Sequence, residues 1–354
     1  MTLDLSILDL GSLSHEDKKY PEMVTGRTVQ IDGDFLAYQV SAERPDEPKS
    51  TEDMKHNARV AVEDIRRMAA AEHVAMHLTP FTSNKGHRYD QAIQRVYQGN
   101  RQSKEKPRML HAMRTWLSDN FNGFLWEQCE ADDGMAAAQY TAIREGKREL
   151  SIVASKDKDL DMVPGLHMVW DTGDIVDTAA TNNDDFGWVD LKESRSASGM
   201  KKTKIKGYGH KWFWTQMLIG DTADNIQGLP KVTGSVLNWI DPTAAVRQAY
   251  QVVATGGDNK KAIAAADKIL KSRKPKACGP ALAIKLLDQM INNRIAFTAV
   301  KGLYEAYGNE VGFKDHAGNN VPWQSVFVSE AQLLWMRRDV NDDNDVIHWF
   351  KEIT

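Results

Sequence analysis

Nine carboxylates fall in four short clusters of this 354-residue chain: Asp32 and Asp34; Glu130, Asp132 and Asp133; Asp157 and Asp159; Asp221 and Asp224. Close-set carboxylates repel one another and call for cations, and an all-oxygen ligand set suits Mg²⁺ or Mn²⁺. Cys129 and Cys278 are the only cysteines. They are too few for a disulfide scaffold, and no Cys/His cluster has zinc spacing. His73, His77 and His87 form no metal pattern and read as structural or surface residues. Each acidic cluster alone has a plain explanation, because acids at a helix N-terminus are favoured by its dipole, by roughly 0.3–1 kcal/mol each. Asp221 and Asp224 alone could be an exposed acidic helix end.

The elements around these residues give the clusters a common address. Thr28–Asp34 reads as a strand broken by a turn at Gly33, and a helix runs from an N-cap at Thr51 to about Glu72. Further strands are expected at His73–Thr79, Gly123–Glu127, Leu150–Ser155 and Leu166–Trp170, with helices ending near Asn120 and covering Asp132–Glu145. Strands alternating with helices predict an α/β fold with a central, mostly parallel sheet. In such sheets sites form outside the carboxyl ends of the strands, and three of the acidic clusters directly follow a strand. The fourth, Leu218-Ile-Gly-Asp-Thr-Ala-Asp-Asn, would place Asp221 and Asp224 on one helix face if it starts helical.

After Lys206 the pattern turns helical. A Ser/Gly/Lys linker at Ser194–Gly207 marks a soft boundary between an α/β part (residues 1–200) and a helical part (201–354). Met1–Gly26 reads as a polar lead-in with at most one short helix. Pro80–Pro107 is polar, basic and without a clean period, as in a long functional loop or loosely held helices. Trp212, Phe213 and Trp214 have helical spacing and belong to the core.

Hydrophobic residues make up 42% and charged residues 27%, ordinary for a soluble globular protein. The net charge of −4 does not advertise nucleic-acid binding, but its distribution is uneven. Basic residues gather at Lys85–Arg114, Lys192–Lys211 and Lys271–Lys276, apart from the acids, which lets one surface hold cations and another phosphates. No apolar run approaches the roughly 18 residues of a membrane span, and the N-terminus lacks the basic region of a signal peptide. The cytoplasm, that of a host cell if the chain is phage-encoded, is the expected compartment.

Five motifs, in this order and spacing, resemble the flap endonuclease/5′–3′ exonuclease family, and within it the phage T7-type exonucleases. They are Ile31-Asp-Gly-Asp, Tyr97-Gln-Gly-Asn-Arg, Glu130-Ala-Asp-Asp, Ser155-Lys-Asp-Lys-Asp and Gly220-Asp-Thr-Ala-Asp-Asn-Ile. The resemblance implies a PIN/FEN-like core and a metal-dependent phosphodiesterase acting near the 5′ ends of DNA, at duplex ends and flaps, or on RNA–DNA hybrids in phage replication or recombination. It implies that Asp32, Glu130, Asp132 and Asp133 form a first, tighter Mg²⁺ or Mn²⁺ site, and that Asp157, Asp159, Asp221 and Asp224 form or support a second. It also implies an arch at about 80–107 and a monomer.

Family members carry a helix–three-turn–helix that grips duplex backbone and often binds a monovalent cation such as K⁺. Asn225-Ile-Gln-Gly-Leu-Pro looks like its first half and Cys278-Gly-Pro-Ala-Leu-Ala its second, interrupted by Lys231–Ala277. Gly228 and Gly279 would be its DNA contacts. Two further departures concern the site. The second strand ends in Leu78-Thr79-Pro80 where the family has an Asp, and Gln98 stands where it has a phosphate-steering Lys. Lys85, Arg88, Arg95 and Arg101 are near enough to substitute, with Arg88 and Arg101 preferred, and Tyr89 or Tyr97 could stack on a displaced strand. Two rival readings stay open: a haloacid-dehalogenase-type phosphatase, on the Asp32-Gly-Asp34 pair, and a catalytically weak DNA-binding relative, on the missing strand-two Asp.

Overall fold

The computed structural model describes residues 20–43, 48–101, 105–179, 185–195 and 201–354, with the backbone alone at 194–195 and 201–202. A helix in the N-terminal lead-in would fall largely in residues 1–19, outside the described residues. β-Branched and apolar runs build six strands: β1 (Val24–Asp32), β2 (Ala71–Leu78), β3 (Gly123–Leu125), β4 (Ser151–Ser155), β5 (Leu166–Val169) and β6 (Ile175–Asp177). They form one sheet of order β3-β2-β1-β4-β5-β6, parallel except for the antiparallel edge strand β6. The direction of strand addition reverses between β1 and β4, the crevice where open α/β sheets place their sites.

The period of two sorts side chains between two layers. Val29, Ile31, Met76, Leu78, Ile152 and Ala154 pack on one face against α1 (Gly33–Ser41), α2 (Thr51–Met68) and α4 (Leu110–Asn120). The short α3 (Arg88–Gln91) lies in the loop after β2. Gln30 and His77 point to the other face, where α5 (Ala131–Arg144) crosses. There His77 Nε2 donates to Gln30 Oε1 at 2.8 Å and Nδ1 accepts from Trp126 Nε1 at 3.0 Å. Burial pushes this imidazole down to about 3, so it is a neutral structural residue.

The second, larger core gathers around α6 (His210–Ile219), which is buried on nearly every side. Trp214 stacks on Trp349, and Phe213 meets Trp335 edge-on. Helices α11 (Asn293–Glu310), α12 (Trp323–Leu334) and α13 (Asp345–Ile353) complete it.

Two expectations need correction. The turn at Gly33 is the first residue of α1, because the Asp32 carboxylate caps the helix by accepting from Phe35 N at 2.8 Å. Of the Ser194–Gly207 segment, the described residues 194–195 and 201–207 are strand rather than linker. β7 (Trp188–Arg195) and β8 (Lys201–Tyr208) pair antiparallel in a two-stranded ribbon across it. Its apolar alternation, Val189, Leu191 and Ile205, is hidden in the sequence among lysines.

The two ends of Lys231–Ala277 meet again. Val232 and Lys276 exchange backbone hydrogen bonds of 2.8 and 2.9 Å. α7 (Gly234–Ile240), α8 (Ala244–Thr255) and α9 (Lys260–Lys271) therefore form an excursion that returns to its origin before α10 (Pro280–Leu287).

Candidate active site

The carboxyl edge of β1 and β4 carries the first acids. Asp32 accepts from Ser155 Oγ at 2.7 Å across the switch point, Ser155 Oγ accepts from Asp157 N at 2.9 Å, and Asp157 accepts from Asp159 N at 2.9 Å. This chain of side-chain-to-backbone bonds folds Ser155-Lys-Asp-Lys-Asp into a compact turn under the strand end. Burial, then the neighbouring Asp34 and Asp157, push the Asp32 carboxyl up to about 7. Burial together with Asp32, Asp157, Glu130 and Asp34 raises Asp132 well above the ordinary carboxylate range. Asp32, Asp132 and Asp157 thus share one field of negative charge.

Asp34 was not among the expected ligands. It reaches the end of β2, accepting from Thr79 N at 3.2 Å and pairing with Arg114 Nε at 2.9 Å. A carboxylate therefore does sit at the edge where the second strand ends in Thr79. The signal was the i, i+2 spacing after Asp32.

The tightest group is Asp159, Asp221 and Asp224. Among the described residues it is the one set of three or more His, Cys, Asp or Glu side chains whose ligand atoms all lie within 4.8 Å of one another. Asp221 and Asp224 are not on a helix. α6 ends at Gly220, whose φ of +70° turns the chain, and Asp221 bridges back to Ile226 through bonds of 2.9 and 2.7 Å. A Cβ at Gly220 would meet the Ile226 carbonyl at 2.4 Å, so the turn requires glycine. Asp159 accepts from Gln216 on α6.

Lys158 Nζ lies 2.8 Å from both Asp159 and Asp221. Burial opposes ionisation of Asp221, but Lys158 and the Ala223 N–H hold it below its usual range. Asp221 Oδ2 is buried without a hydrogen-bond partner. A buried, ionised oxygen with no donor is the feature a divalent cation would satisfy, and the oxygen-only donor set fits Mg²⁺ or Mn²⁺.

Tyr97 joins the two acidic groups. Its hydroxyl lies 2.9 Å from Glu130 Oε2 and 3.1 Å from Asp224 Oδ2, with the ring buried. It is therefore not placed to stack on a base, whereas Tyr89 is half exposed. The segment Val96–Arg101 is fastened to Asp221–Asn225 throughout. Gln98 N donates to Asp224 O, Asn100 Nδ2 to Thr222 O, Arg101 Nε to Ala223 O and Asn225 Nδ2 to Val96 O, and Arg101 pairs with Asp224.

Three expected roles are displaced. Asp133 is fully buried and taken up by internal partners. Arg88 grips it through bonds of 2.7 and 2.8 Å, and it accepts from the backbone of Glu130 and Arg337. Arg88 is 2% exposed and also donates to the Trp335 carbonyl, so it cannot meet a phosphate. Gly228 is buried too, its N–H donating to Glu330 and its carbonyl accepting from Gln94. Gly279 stays exposed at the start of α10. Lys85 is half-buried and spans Glu130 Oε1, at 3.3 Å, and Gln98 Oε1, at 2.9 Å.

The described stretch Gly86–Arg101 is thus neither loose nor free. Arg337 donates to Gly86 O, Ser329 to Gln91 O and His316 N to Ile93 O, stapling it to the C-terminal helices. Sequence alone could not separate basic residues that seek phosphate from those that neutralise internal acids.

No family model matches the chain, and no curated protein matches it. Among solved structures, a pseudo-enzyme–product complex of the bacteriophage T5 flap endonuclease with DNA and metal ions aligns over 87% of this chain and 99% of that one, at 13% identity and a TM-score of 0.39. The T5 5′-exonuclease with bound zinc ions aligns over 79% and 98%, at 16% identity and a TM-score of 0.37.

Proposed function

We propose that this chain is a divalent-metal-dependent nuclease of the flap endonuclease/5′–3′ exonuclease type, hydrolysing phosphodiester bonds near 5′ ends of DNA. The observation that carries the reading is the Asp159–Asp221–Asp224 group, with its unpartnered Asp221 oxygen, beside Asp32, Asp132 and Asp157 at the sheet's switch point. Asp159, Asp221 and Asp224 would hold one cation, and Asp32, Asp132 and Asp157 another. When bound, a pair of such ions supplies an activated water and neutralises the charge on the leaving oxygen.

The protein's own part is positioning. Ser155 fixes Asp32, Gln216 fixes Asp159, and Tyr97 sets the separation between Glu130 and Asp224. Lys158, Lys85 and Arg101 pair with the acids, so the site stays folded before a cation arrives. RNA–DNA hybrids, a role in phage replication or recombination, a monovalent cation beside Gly279 and a monomeric state belong to the same proposal. The test is a panel of 5′-labelled duplex, flap, gapped and RNA–DNA substrates with Mg²⁺ and with EDTA, and a phosphate monoester as the phosphatase arm. Cleavage of 5′-ended nucleic acid that stops with EDTA is expected. Turnover of the monoester alone would overturn the reading.

A further inference from the structure

The β7–β8 ribbon has a use that neither the acidic site nor the core explains. Its pairing sets Val189 opposite Gly207, Asp190 opposite Lys206, Leu191 opposite Ile205 and Lys192 opposite Lys204. Val189 and Ile205 pack on the large core, so the alternate positions, Lys192, Lys204 and Lys206, stand on the solvent face. All three are exposed; Lys206 lies in the field of the buried Asp161, while Lys192 and Lys204 form no ion pair among the described residues. Two lysines directly opposite on a ladder repel each other. Asp190 on the same face and Asp161 beside Lys206 leave the opposed Lys192 and Lys204 without a counter-charge among the described residues.

The ribbon's position says which anion. It packs against α10, whose exposed Gly279 start follows the closed excursion, and against α6 and the Leu160–Met162 turn. At its base Lys206 and Tyr208 wall a pocket of about 240 Å³ together with Lys156, Asp157, Lys158 and Asp161. The basic face therefore starts at the mouth of the acidic site. Alternate residues on a strand stand about 6.8 Å apart, a spacing that suits successive phosphates of one nucleic-acid strand.

We propose that the solvent face of this ribbon, through Lys192 and Lys204 with Lys206 leading inward, binds the phosphate backbone of duplex DNA and guides it toward the acidic site. The inference rests on the nuclease reading for its orientation, but its test does not require cleavage.

The experiment is fluorescence anisotropy of the full chain with a labelled 5′-flap duplex in Ca²⁺, across a KCl series. The variants are Lys192→Gln/Lys204→Gln and, as a remote control, Lys351→Gln. Each lost phosphate contact lowers the slope of log affinity against log salt by about 0.9, so the double variant should lose about 1.8 while the control loses nothing. Thermal unfolding of the double variant should be unchanged or raised, since it removes repulsion, and this excludes misfolding as the cause.

An unchanged slope in a folded double variant overturns the proposal. So does an equal loss in the control, or a loss seen only with a single-stranded oligonucleotide. If the wild type fails to cut DNA in Mg²⁺ yet shows the expected slope change, the nuclease reading falls and the ribbon surface stands.

Discussion

Arg88→Ala separates an internal strut from a phosphate contact. Arg88 is fully buried, donates twice to the buried Asp133 and once to the Trp335 carbonyl, and also lies 3.1 Å from Glu130. Removing it leaves Asp133 as a buried carboxylate with only two backbone N–H donors and the nearby Arg337 charge. Breaking a buried pair this way costs about 3–5 kcal/mol, and the Arg337 charge favours the lower end. At about 2 °C per kcal/mol for a chain this large, the midpoint should fall by ~6–10 °C. Removing both charges with Arg88→Met/Asp133→Leu should cost less than either single change, the residue being mainly the lost cap at Glu130, about 1 kcal/mol. Thermal denaturation followed by circular dichroism measures all three. A variant with normal stability and a DNA salt slope reduced by about 0.9 would refute the strut and restore Arg88 as a phosphate contact.

Other perturbations follow from the same geometry. Tyr97→Phe should destabilise by ~1–3 kcal/mol through loss of the hydroxyl shared by Glu130 and Asp224; a base-stacking role would instead leave Tyr97→Phe neutral in both stability and affinity. Lys158→Met removes the ammonium between Asp159 and Asp221, so the metal-free protein should melt lower while added Mg²⁺ raises the midpoint more than in the wild type. Asp32, Asp161 and Glu330 are each pushed up to about 7, chiefly by burial. Such groups contribute stability that is full below about pH 4 and lost as pH rises through about 7. In EDTA the melting midpoint should therefore fall between pH 5.5 and 8, and a rising midpoint there would contradict these environments. Because Asp32 must be ionised to hold a cation, Mg²⁺ stabilisation should grow over the same interval.

The sheet was readable because its strands keep one period and its connections carry clear caps. β2, β4 and β5 and helices α4 and α5 stand within a few residues of their expected limits. The ribbon was not readable, since lysines at alternate positions look like a linker until the partner strand supplies the register. The acids were legible as a set, because each follows a strand or closes a helix. Their division was not. Asp133 and Asp34 differ in sequence only by neighbours, and the fold of the C-terminal helices brings Arg337 and the Trp335 carbonyl to Arg88 and Asp133 across more than 200 residues. Asp221 and Asp224 were expected on a helix because i, i+3 spacing suits one; the positive φ of Gly220 and Asn225 makes a tight turn instead.

The central claim, that Asp159, Asp221 and Asp224 hold a cation for phosphodiester hydrolysis, meets its most direct test in single-turnover cleavage of a 5′-labelled flap by Asp221→Asn. Loss of side chains outside the ligand shell of a metal already costs 10–100-fold, so loss of a ligand itself should lower the rate in Mg²⁺ by ~100-fold or more. DNA affinity in Ca²⁺ should stay near the wild-type value, since Asp221 is 1% exposed and turned to the acids. Wild-type cleavage by a folded Asp221→Asn, or equal loss of binding and cleavage, would contradict the account.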